Sequence, residues 1–154
     1  MKKIIAIVAL ALGLTVAASA QSRSIGLRGG AGAQFSFVTN DTRMGGDFME
    51  YEVGLNGFGK NMDLQVSALT NNIFWNNGGF NAYWGYGALA GIQLGDYTGF
   101  NAAAAAQLGI MYTFNVVPFN ISLDVRPAIG ITVGDGADLY YTGMYPALGF
   151  RFVF

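Results

Sequence analysis

The sequence predicts an all-β fold, an antiparallel up-and-down transmembrane β-barrel of eight strands. The first observation is composition: the chain is 53% apolar and 14% aromatic but only 11% charged, against roughly 25% charged in ordinary soluble domains. The second is that, beyond residue 20, no continuous apolar run reaches the ~18 residues of a membrane helix. The third is that apolar residues alternate with small or polar ones along most of the chain. Besides the α-helix, a closed β-barrel is the structure in which every backbone N–H and C=O group is hydrogen-bonded inside a bilayer.

The segment 145–154 shows the alternation most clearly. One face carries Pro146, Leu148, Phe150, Phe152 and Phe154, and the other carries Tyr145, Ala147, Gly149, Arg151 and Val153. Such an aromatic row suits a strand that lies against lipid and ends in an interfacial girdle. The girdle predicted at this end consists of Tyr112, Phe114, Phe119, Phe150, Phe152 and Phe154. The opposite rim is predicted to carry Tyr97, Phe100, Tyr140 and Tyr141.

Residues 1–20 have the three parts of a secretory signal peptide. Lys2 and Lys3 form a short positive region, residues 4–16 are largely apolar, and Ala18-Ser19-Ala20 resembles a cleavage site. An uncleaved membrane helix is the less favoured alternative, because such a span needs ~20 apolar residues. We therefore expect a signal peptide over 1–20 and a barrel domain over 21–154.

Charge and residue usage limit the chemistry of the mature domain. Removing Lys2 and Lys3 leaves six basic against nine acidic residues, a net charge of 6 − 9 = −3. Without a basic patch, nucleic-acid binding is not expected. Cysteine and histidine are both absent, which removes thiol chemistry and the commonest general base and metal ligand. We predict no catalytic residues, no metal and no cofactor.

The alternation divides the mature chain into seven runs. They cover residues 24–38, 48–57, 62–68, 80–94, 101–114, 119–133 and the segment from Tyr140 to the end. Bacterial barrels of this kind have an even number of strands. We therefore expect the first run to be two strands divided at Gly29-Gly30. Between Leu69 and Trp75 the alternation loses its phase, which predicts a β-bulge there.

The face that points to lipid determines the class of function. If the apolar face is outside, the lumen encloses a set of charges of both signs: Arg28, Glu50, Glu52, Asp63, Asp124, Arg126 and Arg151. The alternative is a soluble, lipocalin-like barrel with the apolar face around a ligand. The apolar face holds more ring volume than an eight-stranded interior accommodates, so we favour apolar side chains outside. If the lumen can pair the new charge, an arginine is then expected to be less harmful at the inward Ser122 than at the outward Leu123.

Several of these strands resemble a known group of proteins. The segments concerned are 79–85 (GFNAYWG), 109–115 (GIMYTFN), 123–127 (LDVRP) and 149–154 (GFRFVF). They are similar to strands of the small outer-membrane β-barrel proteins of the OmpA/OmpX type. The resemblance implies a barrel in the outer membrane of a Gram-negative-type bacterium and implies no catalytic residues. As partners we expect outer-membrane lipid, lipopolysaccharide and, through the C-terminal strand, the barrel-assembly machinery, with the protein itself a monomer.

The favoured function is non-enzymatic: a barrel with a filled polar interior that stabilises the membrane or presents its loops, and not a large pore. An outer-membrane lipid-modifying hydrolase is an alternative. It would need Ser67 or Ser122 to act as nucleophile without histidine.

Overall fold

The computed structural model describes residues 23–40, 42–57, 62–94, 99–134 and 136–154. It is a closed antiparallel β-barrel of eight barrel strands, two of which are interrupted once, so that ten β-strands are present. They are β1 Ser24–Gly29, β2 Gly32–Val38, β3 Phe48–Asn56, β4 Asp63–Asn77, β5 Phe80–Gln93, β6 Phe100–Thr113, β7 Phe119–Val125, β8 Ala128–Val133, β9 Ala137–Thr142 and β10 Pro146–Val153. A 3-10 turn, Thr42–Met44, lies between β2 and β3. No helix in the described part of the chain is long and apolar enough to cross a membrane.

The first and last strands close the barrel. β1 pairs with β10 from Ser24↔Val153 to Gly29↔Leu148, and Arg23 and Phe154 exchange two backbone hydrogen bonds of 2.8 Å. We call this end of the barrel the terminal end and the other the loop end. The predicted division of the first run is confirmed, because β1 ends at Gly29 and β2 begins at Gly32.

Proline and a bulge cause the two interruptions. β7 and β8 are separated by Arg126 and Pro127, and Pro127 has no N–H to donate to the sheet. The neighbouring strand, formed by β9 and β10, is paired through Val125↔Pro146 and Ala128↔Thr142. Between these two pairs, three residues of that strand (143–145) face two residues (126–127). This one extra residue is a β-bulge. It reverses which side chains face inward between β9 and β10.

The bulge overturns one prediction about the outer rim. Tyr140 was expected beside Tyr141 on the outside, but it faces the interior and is only 8% exposed, whereas Tyr141 is 65% exposed. The hydroxyl of Tyr140 accepts a hydrogen bond of 3.1 Å from Gln65 Nε2. Tyr97, assigned to the same rim, lies outside the described residues.

β4 is a single strand through the region where the sequence loses its alternation. Its register with β5 shifts between Ile73 and Trp75, which confirms the predicted bulge. Up to that point the phase holds, so that Leu69 and Asn71 still face inward and are fully buried. The sequence pattern is unclear there because an apolar residue faces the lumen.

The strands are staggered around the barrel, as closure requires. Starting at Gly29 on β1, the paired residues can be followed around the barrel through β2, β3, β4, β5, β6 and β8 to Ala137 on β9. In the other direction, Gly29 pairs directly with Leu148 on β10. The two positions are 148 − 137 = 11 residues apart, of which one is the extra residue of the bulge. The resulting stagger of ten residues brings the middle of β3 opposite β7 and β10 across the lumen.

The terminal end of the lumen is sealed. Beneath a layer of Val38, Phe48, Tyr83 and Met111, the 3-10 turn packs across the opening. Thr42 Oγ1 lies 2.9 Å from Thr113 Oγ1, and the carbonyl of Thr42 accepts a hydrogen bond of 2.8 Å from Asn81 Nδ2. Thr42 itself is only 2% exposed.

Candidate functional site: a paired charge network in the lumen

Three arginines and three carboxylates meet at mid-height in the lumen. Glu50 and Glu52 lie two residues apart on β3, so both side chains point inward. Asp124 on β7 and Arg151 on β10 face them, and Arg28 on β1 also points into the lumen. Arg126 follows the end of β7 and also turns inward, with its side chain 7% exposed. We call these six residues the lumen network.

Arg28 joins the network to Asp124. Its Nε donates to Asp124 Oδ1 at 3.1 Å, and its Nη2 donates to the same carboxylate. Nη1 donates to Gln34 Oε1 at 2.8 Å. The Glu52 carboxylate lies 3.7 Å from Nε, so that this guanidinium faces two negative charges.

Arg126 connects the two glutamates of β3. Its Nη1 is paired with Glu52 Oε2, and its Nη2 lies 3.2 Å from Glu52 Oε1 and 3.3 Å from Glu50 Oε2. Nη2 also donates to Gln107 Oε1 at 3.0 Å. This guanidinium therefore holds both carboxylates in place from the loop-end side.

Arg151 is 1% exposed and forms an ion pair with Glu50, which is completely buried. Its Nε donates to Ser36 Oγ at 2.7 Å, and its Nη1 donates to Ser122 Oγ at 2.9 Å. Ser36 Oγ in turn donates to Glu50 Oε1 at 2.9 Å. Each charge in this half of the network is therefore hydrogen-bonded as well as paired.

The network is balanced, with three positive and three negative groups. Buried charges are tolerated only when they are paired and hydrogen-bonded, because removal from water is costly. The pairs therefore hold β1, β3, β7 and β10 together across the lumen. The space left at the loop end is a cavity of about 40 Å³ beside Arg28 and Arg126, which is enough for a few water molecules.

Asp63 corrects the predicted charge set. It begins β4 at the loop end, is partly exposed, and forms no ion pair with Arg28, Arg126 or Arg151. Its inward phase was predicted, but its height on the strand was not. The stagger of the barrel places it near the rim instead of at mid-height.

Neutral side chains complete the network, and the sequence did not single them out. Gln107 Nε2 donates to Glu50 Oε2 at 3.1 Å and lies 3.5 Å from the hydroxyl of Tyr83. In the sequence, these residues could be recognised only by their inward position in the alternation. This position did not identify them as members of the network, because a neutral side chain has no buried charge that requires a partner.

The two serines considered as nucleophiles are both part of this hydrogen-bonded interior. Ser67 Oγ donates to Glu52 Oε2 at 3.2 Å, and Ser122 Oγ accepts from Arg151. Their side chains are buried, with 7% and 1% exposure. Among the described residues no cluster of three or more acidic side chains is placed to hold a metal ion.

The predicted girdle residues lie on the outer face at the terminal end. The rings of Tyr112 and Phe114 have centroids 4.8 Å apart, and Phe119 contacts Phe150 and Phe152 at 5.1 and 5.6 Å. Phe152 and Phe154 are 6.5 Å apart. The rings form two groups, one of Tyr112 and Phe114 at the end of β6 and one of Phe119, Phe150, Phe152 and Phe154 on β7 and β10.

The lumen network and the girdle rings are the two groupings that contain the predicted site residues, apart from Asp63. Comparison of the chain with protein-family models, with curated proteins and with solved structures found no match.

Proposed function

We propose that this chain is an integral outer-membrane β-barrel protein of a Gram-negative-type bacterium, exported by a signal peptide over residues 1–20. Its role is non-enzymatic: it stabilises the membrane or presents its loops for interaction. The observation that carries the proposal is the inverted polarity of the barrel, with ions inside and apolar side chains outside. The resemblance of its strands to small OmpA/OmpX-type barrels supports the same conclusion.

The outer face supports a lipid environment. Leu27, Leu148 and Ile129 are 65%, 62% and 58% exposed, and exposed apolar side chains recur on most strands. Monomeric soluble proteins rarely expose contiguous apolar patches beyond a few hundred Å². A lipocalin-like barrel would need an apolar, ligand-sized lumen, whereas this lumen is filled by Glu50, Arg151 and their partners.

Strand length is also sufficient to cross a bilayer. β4, β5 and β6 contain 15, 14 and 14 residues. At ~3.3 Å per residue and a tilt of about 40°, such strands reach about 35 Å along the barrel axis, more than the ~25 Å apolar band of known barrels. β1 and β2 are shorter, so the loop-end rim is uneven.

Partners follow from the proposed location. The outward rings of β10 would contact outer-membrane lipid and lipopolysaccharide, and the same strand would be presented to the barrel-assembly machinery. We propose a monomer, because the barrel closes on itself through β1 and β10 and leaves no strand pairing to a second chain at this seam.

The proposal is tested by membrane extraction and gel mobility. We expect the protein to remain in the membrane pellet after a carbonate wash, and its unboiled form to migrate differently from the boiled form in detergent. A closed barrel resists detergent unfolding until it is heated, which is the physical reason for the difference. Mature protein that stays monodisperse in buffer without detergent would contradict the proposal and favour the soluble barrel.

A filled lumen also predicts the electrical behaviour. Planar-bilayer recordings of the purified protein are expected to show no large stable conductance, because the lumen network and the sealed terminal end block the path. A sixteen-stranded porin in the same membrane provides the positive control. Porin-like steps from this protein would show that its interior is not filled.

A further inference from the structure

A large cavity lies on the outside of the barrel wall, away from the lumen network. Its volume is about 780 Å³. Most of the floor consists of alanine methyl groups on three neighbouring strands, with Val66 beside Ala90. The alanines are Ala68, Ala88, Ala90, Ala102 and Ala104. We call this cavity the outer basin.

Strand register explains why the alanines meet. Ala88 pairs with both Ala68 and Ala104, and Ala90 pairs with Ala102, so the five side chains are direct cross-strand neighbours on one face. The next outward positions on β5 are the bulky Tyr86 and Ile92. The wall is therefore low at the alanines and higher at these two positions of β5.

Aromatic rings form one side of the outer basin. Phe35, Phe37 and Tyr51 line it on β2 and β3. Ile131 on β8 lines the opposite side, where it pairs with Ala102. Phe37 points outward from the barrel, yet it is only 6% exposed. A ring packed this closely on the outer face gives the basin a steep, fixed side.

The outer basin presents few polar groups to an occupant. Glu52 and Ser67 lie under the floor, but their polar atoms point into the lumen, where they contact Arg126. The hydroxyl of Tyr51 lies 3.5 Å from Met49 Sδ. The backbone of β4, β5 and β6 is paired in the sheet. The lining therefore favours an occupant that is apolar along its length.

The shape of the basin decides between apolar occupants. Around the basin the wall of the closed barrel curves away on both sides, so a second copy with a wall of the same curvature would fill the basin poorly. A flexible, slender chain can follow the floor. The volume falls within the ~300–1,000 Å³ typical of small-ligand pockets.

We propose that the outer basin holds one acyl chain of a membrane lipid. This rests on the proposed membrane location, which places the basin at the depth of lipid tails: Ala102 and Ala104 lie between the outward Phe100 and Tyr112 of β6. The alanine floor contacts one side of the chain, and the Phe35, Phe37 and Tyr51 rings contact its flank. The bound lipid is thereby distinguished from those that only surround the barrel.

The test fills the basin and counts retained lipid. Protein refolded into dimyristoylphosphatidylcholine vesicles is extracted in mild detergent and examined by native mass spectrometry. The variant Ala90→Phe/Ala102→Phe places two rings on a cross-strand pair in the floor. The control Leu123→Phe/Leu148→Phe alters an exposed cross-strand pair on β7 and β10. Ala88→Leu is a milder filling variant should the double variant fold poorly.

One retained phosphatidylcholine per barrel is expected for the unmodified protein and the control, with roughly tenfold lower occupancy in the double variant, since added rings overpack an occupied site. Equal retention in all variants would overturn the proposal. So would a cross-linked dimer that only the basin variants abolish, because the occupant would then be a second copy. Protein that inserts into vesicles but retains no lipid overturns the basin alone. Protein that never inserts overturns the proposed function as well.

Discussion

Glu50→Gln is expected to lower the free energy of unfolding by about 3–5 kcal/mol, the cost of removing one partner from a buried ion pair. Glu50 is completely buried and contacts both Arg151 and Arg126. With a neutral amide in its place, two buried guanidinium groups share the remaining carboxylates. Urea titration of vesicle-embedded protein, followed through the fluorescence of Trp75 and Trp84, would measure the change.

Asp138→Asn is the matched control for this substitution. It removes the same charge from an exposed position on β9, where surface substitutions usually change stability by about 0.5 kcal/mol or less. If Glu50→Gln were as mild as Asp138→Asn, the lumen network would not hold the strands together.

Leu123→Arg is expected to lower the free energy of unfolding in lipid vesicles by about 2–4 kcal/mol, the cost of a cation near the midplane of the proposed lipid-facing surface. Leu123 points outward from the middle of β7, paired with Ile110 and Leu148. The same urea titration provides the measurement. A harmless Leu123→Arg would mean that this face does not contact lipid.

Val116→Arg is the appropriate control, because Val116 is 96% exposed in the turn at the terminal end, where a cation costs only about 0–1 kcal/mol. The sequence suggested Ser122 for comparison, but the structure makes it unsuitable. Ser122 is 1% exposed and accepts a hydrogen bond from Arg151. A second arginine there would overpack the lumen beside a like charge, so Ser122→Arg is expected to be harmful too.

Much of the fold could be predicted because side-chain polarity in a barrel follows a period of two. The alternation determined the inner and outer faces, and the Gly29-Gly30 pair marked the division between β1 and β2. The bulge at 143–145 could not be predicted. It depends on pairing with Arg126 and Pro127 of the neighbouring strand, and its consequence, the inward Tyr140, was therefore missed.

The lumen charges could be predicted as a set but not as pairs. The six residues of the lumen network, among them Arg28 and Asp124, could be identified because they are charged and occupy inward positions in the alternation. Which arginine meets which carboxylate depends on the stagger of ten residues, and this is a property of the closed barrel. The same stagger separates Asp63 from the network. The alanines of the outer basin, far apart in sequence, become one surface for the same reason.

The seam between β1 and β10 has a consequence for folding. The two strands that complete the ring are separated by almost the whole chain, so no contiguous part of the polypeptide can form a closed structure by itself. Either half would leave open edges and unpaired ions, and loop-closure entropy must be overcome before the final pairing stabilises the molecule. The barrel should therefore fold and unfold as one cooperative unit, with few stable intermediates.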